Sequence, residues 1–288
     1  MHNIPAATGW LWFKQGFSLF RKQPAELSTL FLSYLFLMLG IGFVPVIGQV
    51  LPLLLVPVFA MAFMQACVQL EQGKRIYPNL LMTGFRSPAL RRLLVLGVLY
   101  LLAVVTAVGA STLVDDGAFF NMMTRAGGAD PQALAKTNWA QGMLVAALVY
   151  LPAGMCFWFA APLTMWQGMP VPKALFYSFF AFIRAGRAFM LYGLVWLLMG
   201  VILPSILSTI VALIFGSAVL SLMVLLPLSL ILTAVLYCSF YPSYVMIFGG
   251  PEAPAPAAPG SDEVDDDSDK NAGNDDDSGT GKGTGTSV

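Results

Sequence analysis

Charge is what this 288-residue chain has least of: Lys, Arg, Asp and Glu make up 10% of it, where soluble domains carry about 25%. Hydrophobic residues make up 58%. Between Leu27 and Phe248 the charged residues lie at the edges of apolar runs or in the connectors between them. A water-soluble fold would lack the polar surface to cover itself, so the chain belongs in a bilayer. Histidine is scarcer still, with His2 alone, and this excludes a Ser-His pair, a His-rich metal site and His-dependent group transfer. Carboxylates are missing from the apolar runs, where an ionisable side chain would mark a functional site, and this argues against proton-coupled transport. The three cysteines, Cys67, Cys156 and Cys238, fall in apolar stretches without ligand spacing. They read as buried thiols rather than a disulfide framework or zinc site. No metal, cofactor or nucleic-acid partner is expected. A cleaved signal peptide also fits poorly, because the first apolar run follows Lys14, Arg21 and Lys22 and is too long for an h-region.

What is present is enough apolar length for six crossings. A hydrocarbon core of about 30 Å takes about 20 residues of helix, and the landscape divides into spans at 27–47, 50–70, 93–113, 142–166, 188–211 and 217–241. The charge-free stretch between Glu26 and Glu71 is too long for one helix and divides at Pro45, Gly48 and Pro52; a tight hairpin is simpler there than a re-entrant segment. The expected fold is an all-α polytopic membrane bundle of six spans in three hairpins. Its organisation is an N-terminal interfacial segment at 1–26, a membrane domain at 27–248 and a disordered acidic tail at 249–288.

The net charge of zero conceals an asymmetry: residues 1–248 hold 13 basic and 5 acidic residues, and residues 249–288 hold 2 and 10. Eleven of the basic residues fall before the first span, between the second and third, or between the fourth and fifth. Only Arg125 and Lys136 lie on the opposite side. The positive-inside rule therefore predicts that both termini are cytoplasmic.

Each hairpin is approached by an aromatic, basic segment suited to an interfacial helix. Trp10, Trp12, Phe13, Phe17 and Phe20 stand among Lys14, Arg21 and Lys22 in the first. Leu80 to Arg92 and Leu175 to Arg187 repeat the pattern, and Gln72-Gly73 and Gln167-Gly168 each precede a proline. A degenerate threefold repeat of hairpins follows.

The remaining constellations favour packing over chemistry. Asp115 and Asp116 read as a solvated end-stop rather than a cation site. Ala103, Ala107 and Ser111 form a small-residue stripe for helix packing. Pro57, Pro152, Pro162, Pro204 and Pro227 read as kinks, although broken helices in transporters carry the same signal. Trp139, Trp158, Trp166, Tyr237, Tyr241 and Tyr244 read as interfacial anchors. In the tail, an EF-hand started at Asp267 has Ala272 and Ser278 where Gly and Glu are required.

Trp10-Leu-Trp-Phe-Lys, Phe20-Arg-Lys-Gln-Pro, Gly84-Phe-Arg-Ser-Pro, the three hairpins and the Asp-rich tail together resemble an uncharacterised family of bacterial polytopic inner-membrane proteins. The resemblance covers residues 8–248. More distantly, the hairpin rhythm resembles the membrane domain attached to some glycerophosphodiester phosphodiesterases, but no segment here could form the catalytic barrel. The resemblance brings no site residues.

These features point to a non-enzymatic structural, lipid-interacting or accessory envelope component. Arg86, Arg91, Arg92, Arg184 and Arg187 are the candidate contacts for anionic phospholipid headgroups or for the acidic tail. A membrane-protein partner or a second copy is the other expected contact. The alternative is a small transporter or channel along kinked helices, with Thr106, Ser205, Ser208, Thr209, Ser229 and Thr233 as its polar lining.

Overall fold

The computed structural model of the protein describes residues 4–44, 47–124, 138–216 and 218–251. The acidic tail from 252 onward and the stretch holding Arg125, Asp130 and Lys136 lie outside the described residues. Among the described residues the chain is helical and no strand occurs. The helices are α1 (Thr8–Lys22), α2 (Pro24–Gly42), α3 (Ile47–Glu71), α4 (Leu90–Asp115), α5 (Ala118–Thr124), α6 (Trp139–Phe157), α7 (Ala160–Trp166), α8 (Val171–Arg184), α9 (Gly186–Leu197), α10 (Leu203–Phe215) and α11 (Ala218–Phe248).

Among the described residues, six helical stretches are long and apolar enough to cross a membrane: Pro24–Gly42, Val50–Glu71, Leu90–Asp115, Trp139–Trp166, Gly186–Phe215 and Val219–Phe248. The fold is an all-α polytopic bundle. The first crossing ends at Gly42 instead of 47, and the sixth runs on to Phe248 instead of stopping at 241. Tyr241 and Tyr244 are thereby placed within α11, where both are buried.

Two crossings are irregular for a reason visible in the sequence. The fourth is divided at Trp158 and Phe159 into α6 and α7. Pro162 has no N–H to donate to the Trp158 carbonyl, and its ring crowds that carbonyl. The fifth passes through a π-helical turn, Leu198–Ile202, immediately before Pro204, which likewise cannot donate to Gly200.

The three hairpins are α2 with α3, α4 with α6–α7, and α9–α10 with α11. Their returning spans end alike, in left-handed glycines: Gly73 at φ 70°, Gly168 at φ 63° and Gly249 at φ 88°. Each conformation suits glycine, and each glycine is followed within five residues by a proline, Pro78, Pro170 or Pro251. The third repeat is therefore marked by Gly249, where the sequence has no Gln-Gly.

The approaching segments pack on a hairpin other than the one they lead into. Helix α1 lies against α9 and α11. A Cβ at Gly9 would overlap the Ala188 carbonyl and one at Gly16 would overlap Ser239, so the backbones touch there. Trp12, fully buried, packs on Phe189 at 5.0 Å. The second approach is helical only as a 3-10 turn, Pro78–Met82, followed by turns to Ala89; Pro78, Gly84 and Pro88 shorten it. It seats on the first hairpin, with Phe85 on Phe59 at 5.6 Å. Helix α8 seats on α6 and α7 of the second hairpin. Approach one on hairpin three, two on one and three on two make a closed cycle.

Helices α3, α7 and α11 meet inside this cycle. From Leu51 to Leu70 no residue is exposed. The α3–α4 crossing is close enough that a Cβ at Gly97 would overlap the Leu54 carbonyl.

Candidate functional site

The Arg-rich end of the bundle carries the polar contacts between hairpins. Gln23, just after α1, donates from Nε2 to the Lys74 carbonyl at 3.0 Å and accepts from the Ile76 N–H at 3.2 Å. Arg92, in the first turn of α4, donates from Nη1 to the Gly168 carbonyl at 2.6 Å and the Met169 carbonyl at 3.4 Å. Each thus holds the connector that follows a returning span. Between the returning spans, Tyr241 Oη donates to Glu71 Oε2 at 2.7 Å and Gln167 Nε2 donates to Tyr244 Oη at 3.1 Å. The buried thiols of Cys67 and Cys238 face each other one turn further in.

The five candidate arginines are all exposed. Arg86, Arg91 and Arg92 flank the start of the second hairpin, and Arg184 and Arg187 flank the start of the third, so they form two groups. Arg91, Arg92 and Arg187 sit in the first turns of α4 and α9. Cations there add to the positive end of the helix dipole. That placement is unfavourable to the helix and favourable to an anion.

Aromatic surface adjoins these charges. On α8, Phe176, Tyr177, Phe180 and Ile183 are exposed while Ala174 and Ser178 are buried. Lys173 lies 5.7 Å above the Tyr177 ring. On α1, Trp10, Leu11 and Phe17 are exposed on the face opposite Trp12.

The break in the fourth crossing is held from α8. Ser178 Oγ accepts from the Phe159 N–H at 2.9 Å and donates to the Met155 carbonyl at 2.8 Å. One hydroxyl thus satisfies a donor and an acceptor freed by the interruption. Beside the break lies an apolar cavity of about 260 Å³, lined by Val56, Pro57, Ala60, Leu96, Tyr100, Tyr150, Gly154, Phe157, Trp158 and Phe240 among others. Tyr100, Tyr150 and Phe157 are only half-buried, which leaves it partly open. The indole N–H of Trp158 is buried and has no acceptor.

Several sequence expectations change here. Trp158, Tyr241 and Tyr244 are bundle interior rather than interfacial anchors. Asp115 is no solvated end-stop: it is buried, and accepts from the Gly117 N–H at 3.0 Å and the Phe119 N–H at 2.8 Å. It caps α5 and packs against Gly142, while Asp116 is exposed at φ 51°, so the two do not form a paired site. Ala107 and Ser111 are buried at the α4–α6 crossing, the role expected of the small-residue stripe. The hydroxyls named for a transport path mostly turn back on their own helices. Thr106 donates to Leu102, Ser205 to Val201, Thr209 to Ser205, Ser229 to Leu226 and Thr233 to Ser229, all at 2.7–2.9 Å. Among the described residues, no three His, Cys, Asp or Glu gather as metal ligands.

The chain is 40% identical over 266 residues to a probable inner membrane protein, BTH_II0599, of Burkholderia thailandensis. The match spans 91% of this chain and 98% of the relative. This chain belongs to that family of probable inner membrane proteins. No catalytic family is indicated: no family model matches the sequence. No solved structure matches it either.

Proposed function

We propose that the protein is a non-enzymatic accessory or structural component of the bacterial inner membrane that gathers anionic phospholipid at its Arg-rich, cytoplasmic end. The observation that carries this reading is the set of exposed arginines in helix first turns beside the exposed aromatic face of α8. Basic residues near an anionic leaflet contribute about 1 kcal/mol each, and aromatic side chains suit the headgroup depth. The acidic tail, 249–288, is a tethered competitor for the same arginines. In this reading, deleting residues 250–288 raises anionic-lipid retention at low salt.

Native mass spectrometry of the purified protein tests the proposal. Anionic phospholipid adducts should exceed their share of the extract, and Arg86→Gln, Arg91→Gln and Arg187→Gln together should remove the excess. Unchanged adducts in that variant would overturn it. The orientation has its own test: a fusion reporter active only outside the cytoplasm should be silent at residue 288.

The second reading, a small transporter or channel with a path along kinked helices, draws support from the broken fourth crossing and the π-helical turn of the fifth. Against it stand the hydroxyls that bond within their own helices. Solute flux in proteoliposomes would favour it.

A further inference from the structure

We infer that the cavity beside the break in the fourth crossing is the seat of one acyl chain of a phospholipid whose headgroup lies at Arg91 and Arg92. The inference deepens the lipid reading and rests on it for the headgroup alone.

Three independent features lead there. The cavity is apolar and, at about 260 Å³, larger than the roughly 150 Å³ apolar cavity that takes up benzene in an engineered protein. It is placed where hydrocarbon is the surrounding medium: Pro57, Tyr100, Gly154 and Phe240 each lie inside a crossing, well away from its ends. A partly open cavity at that depth, in contact with lipid, fills with lipid chain rather than water, since the lining offers water few partners.

The second feature is register. Arg92, Leu96 and Tyr100 are spaced four apart on α4, so they share one face of the helix. Leu96 and Tyr100 line the cavity. Arg92 stands two turns, about 12 Å, above Tyr100 along the axis. That offset places the guanidinium at headgroup depth when a chain occupies the cavity. Arg92 is already held at the Gly168 and Met169 carbonyls; Arg91, exposed beside it, is the second cation.

The third is the break itself. Interrupted helices at membrane depth occur where protein or a cavity surrounds the freed backbone. Here Ser178 satisfies that backbone from outside the crossing. The bond to Ser178 leaves Phe157, Trp158 and Ala161 to form the cavity wall, and the adjacent α6 contributes Gly154, which has no side chain to fill the space.

The test uses Trp158 as a reporter. The full-length protein in neutral nanodiscs is titrated with phosphatidylglycerol brominated at mid-chain. The difference in quenching between the protein and Trp158→Phe reads the Trp158 environment. A saturable component at a few mole per cent of brominated lipid is expected, and Gly154→Leu, which fills the cavity, should weaken it about fivefold or more. Ala60→Leu serves the same purpose if Gly154→Leu does not remain monodisperse. A Trp158 component that rises in proportion to bulk brominated lipid, or that both filled variants retain, overturns the inference. Brominated phosphatidylcholine separates the two claims: equal saturable quenching by both lipids removes the Arg91 and Arg92 headgroup assignment and the anionic-lipid reading, while leaving the chain in its cavity.

Discussion

The second and fifth crossings are both strongly apolar, with mean hydropathies of 2.1 and 2.5, yet the second is the interior of the bundle and the fifth, beyond its contact with α1, is its outside. From Leu51 to Leu70 the second has no exposed residue, whereas between Trp196 and Phe215 Val211 alone is buried in the fifth. In water that difference would follow apolarity. In a bilayer, lipid tails are as apolar as leucine, so burial goes instead to the helix that lets its neighbours come close. Helix α3 meets the α4 backbone at Gly97 and the second approach at Gly84. At Gly193 in the fifth crossing, by contrast, an added Cβ would meet nothing within 4 Å beyond its own helix backbone.

The comparison breaks most sharply on glycine. Gly97→Leu should cost about 3 kcal/mol or more, because a side chain there meets backbone that cannot move aside. Gly193→Leu should change stability by less than about 0.5 kcal/mol. Thermal denaturation in detergent, followed by circular dichroism, checks the pair; equal losses would contradict the assignment of interior and exterior.

Truncation gives the next effect. Met64→Ala, at a buried position in the second crossing, should cost about 2–5 kcal/mol through lost contacts and a cavity. Leu213→Ala, at an exposed position in the fifth, should cost almost nothing. The denaturant midpoints of the two variants should therefore separate clearly.

Ser178→Ala should cost about 1–3 kcal/mol, since it leaves the Phe159 N–H and the Met155 carbonyl without partners. The same experiment carries a local signature: hydrogen exchange at Phe159 should quicken while exchange in α10 does not change. Smaller again, Tyr241→Phe removes the bond to Glu71 and should cost about 1 kcal/mol.

A cross-link maps the interior without a large energy change. Copper–phenanthroline oxidation should join Cys67 to Cys238, holding the first and third hairpins together after cleavage at a protease site inserted between residues 114 and 141. Two separate fragments on a non-reducing gel would contradict the facing of α3 and α11.

Much of this architecture is legible in the sequence. Charge placement and apolar length lead to six crossings, and the aromatic, basic approaches lead to three repeats. Long-range contacts are what local pattern does not carry. Pro162 reads as a kink because nothing near it announces that Ser178, from the next approach, will satisfy an outright break. Asp115 reads as solvated because its capping of α5 depends on the turn at Asp116 and Gly117. Tyr241 and Tyr244 read as anchors because a span closed by length alone stops at Tyr241, though Gly249 could have marked the true end by analogy with Gly73 and Gly168. Charge alone points to the arginines, but their division into two groups and the bond from Arg92 to Gly168 depend on the fold. The cavity had no signal in the sequence beyond the absence of a side chain at Gly154.

Electron paramagnetic resonance of spin-labelled lipids around the reconstituted protein tests most directly the proposed preference of the Arg-rich end for anionic headgroups. Labelled phosphatidylglycerol should associate several-fold more strongly than labelled phosphatidylcholine at low salt, and the preference should shrink as salt screens the exposed arginines. Equal association of the two lipids at low salt would contradict it.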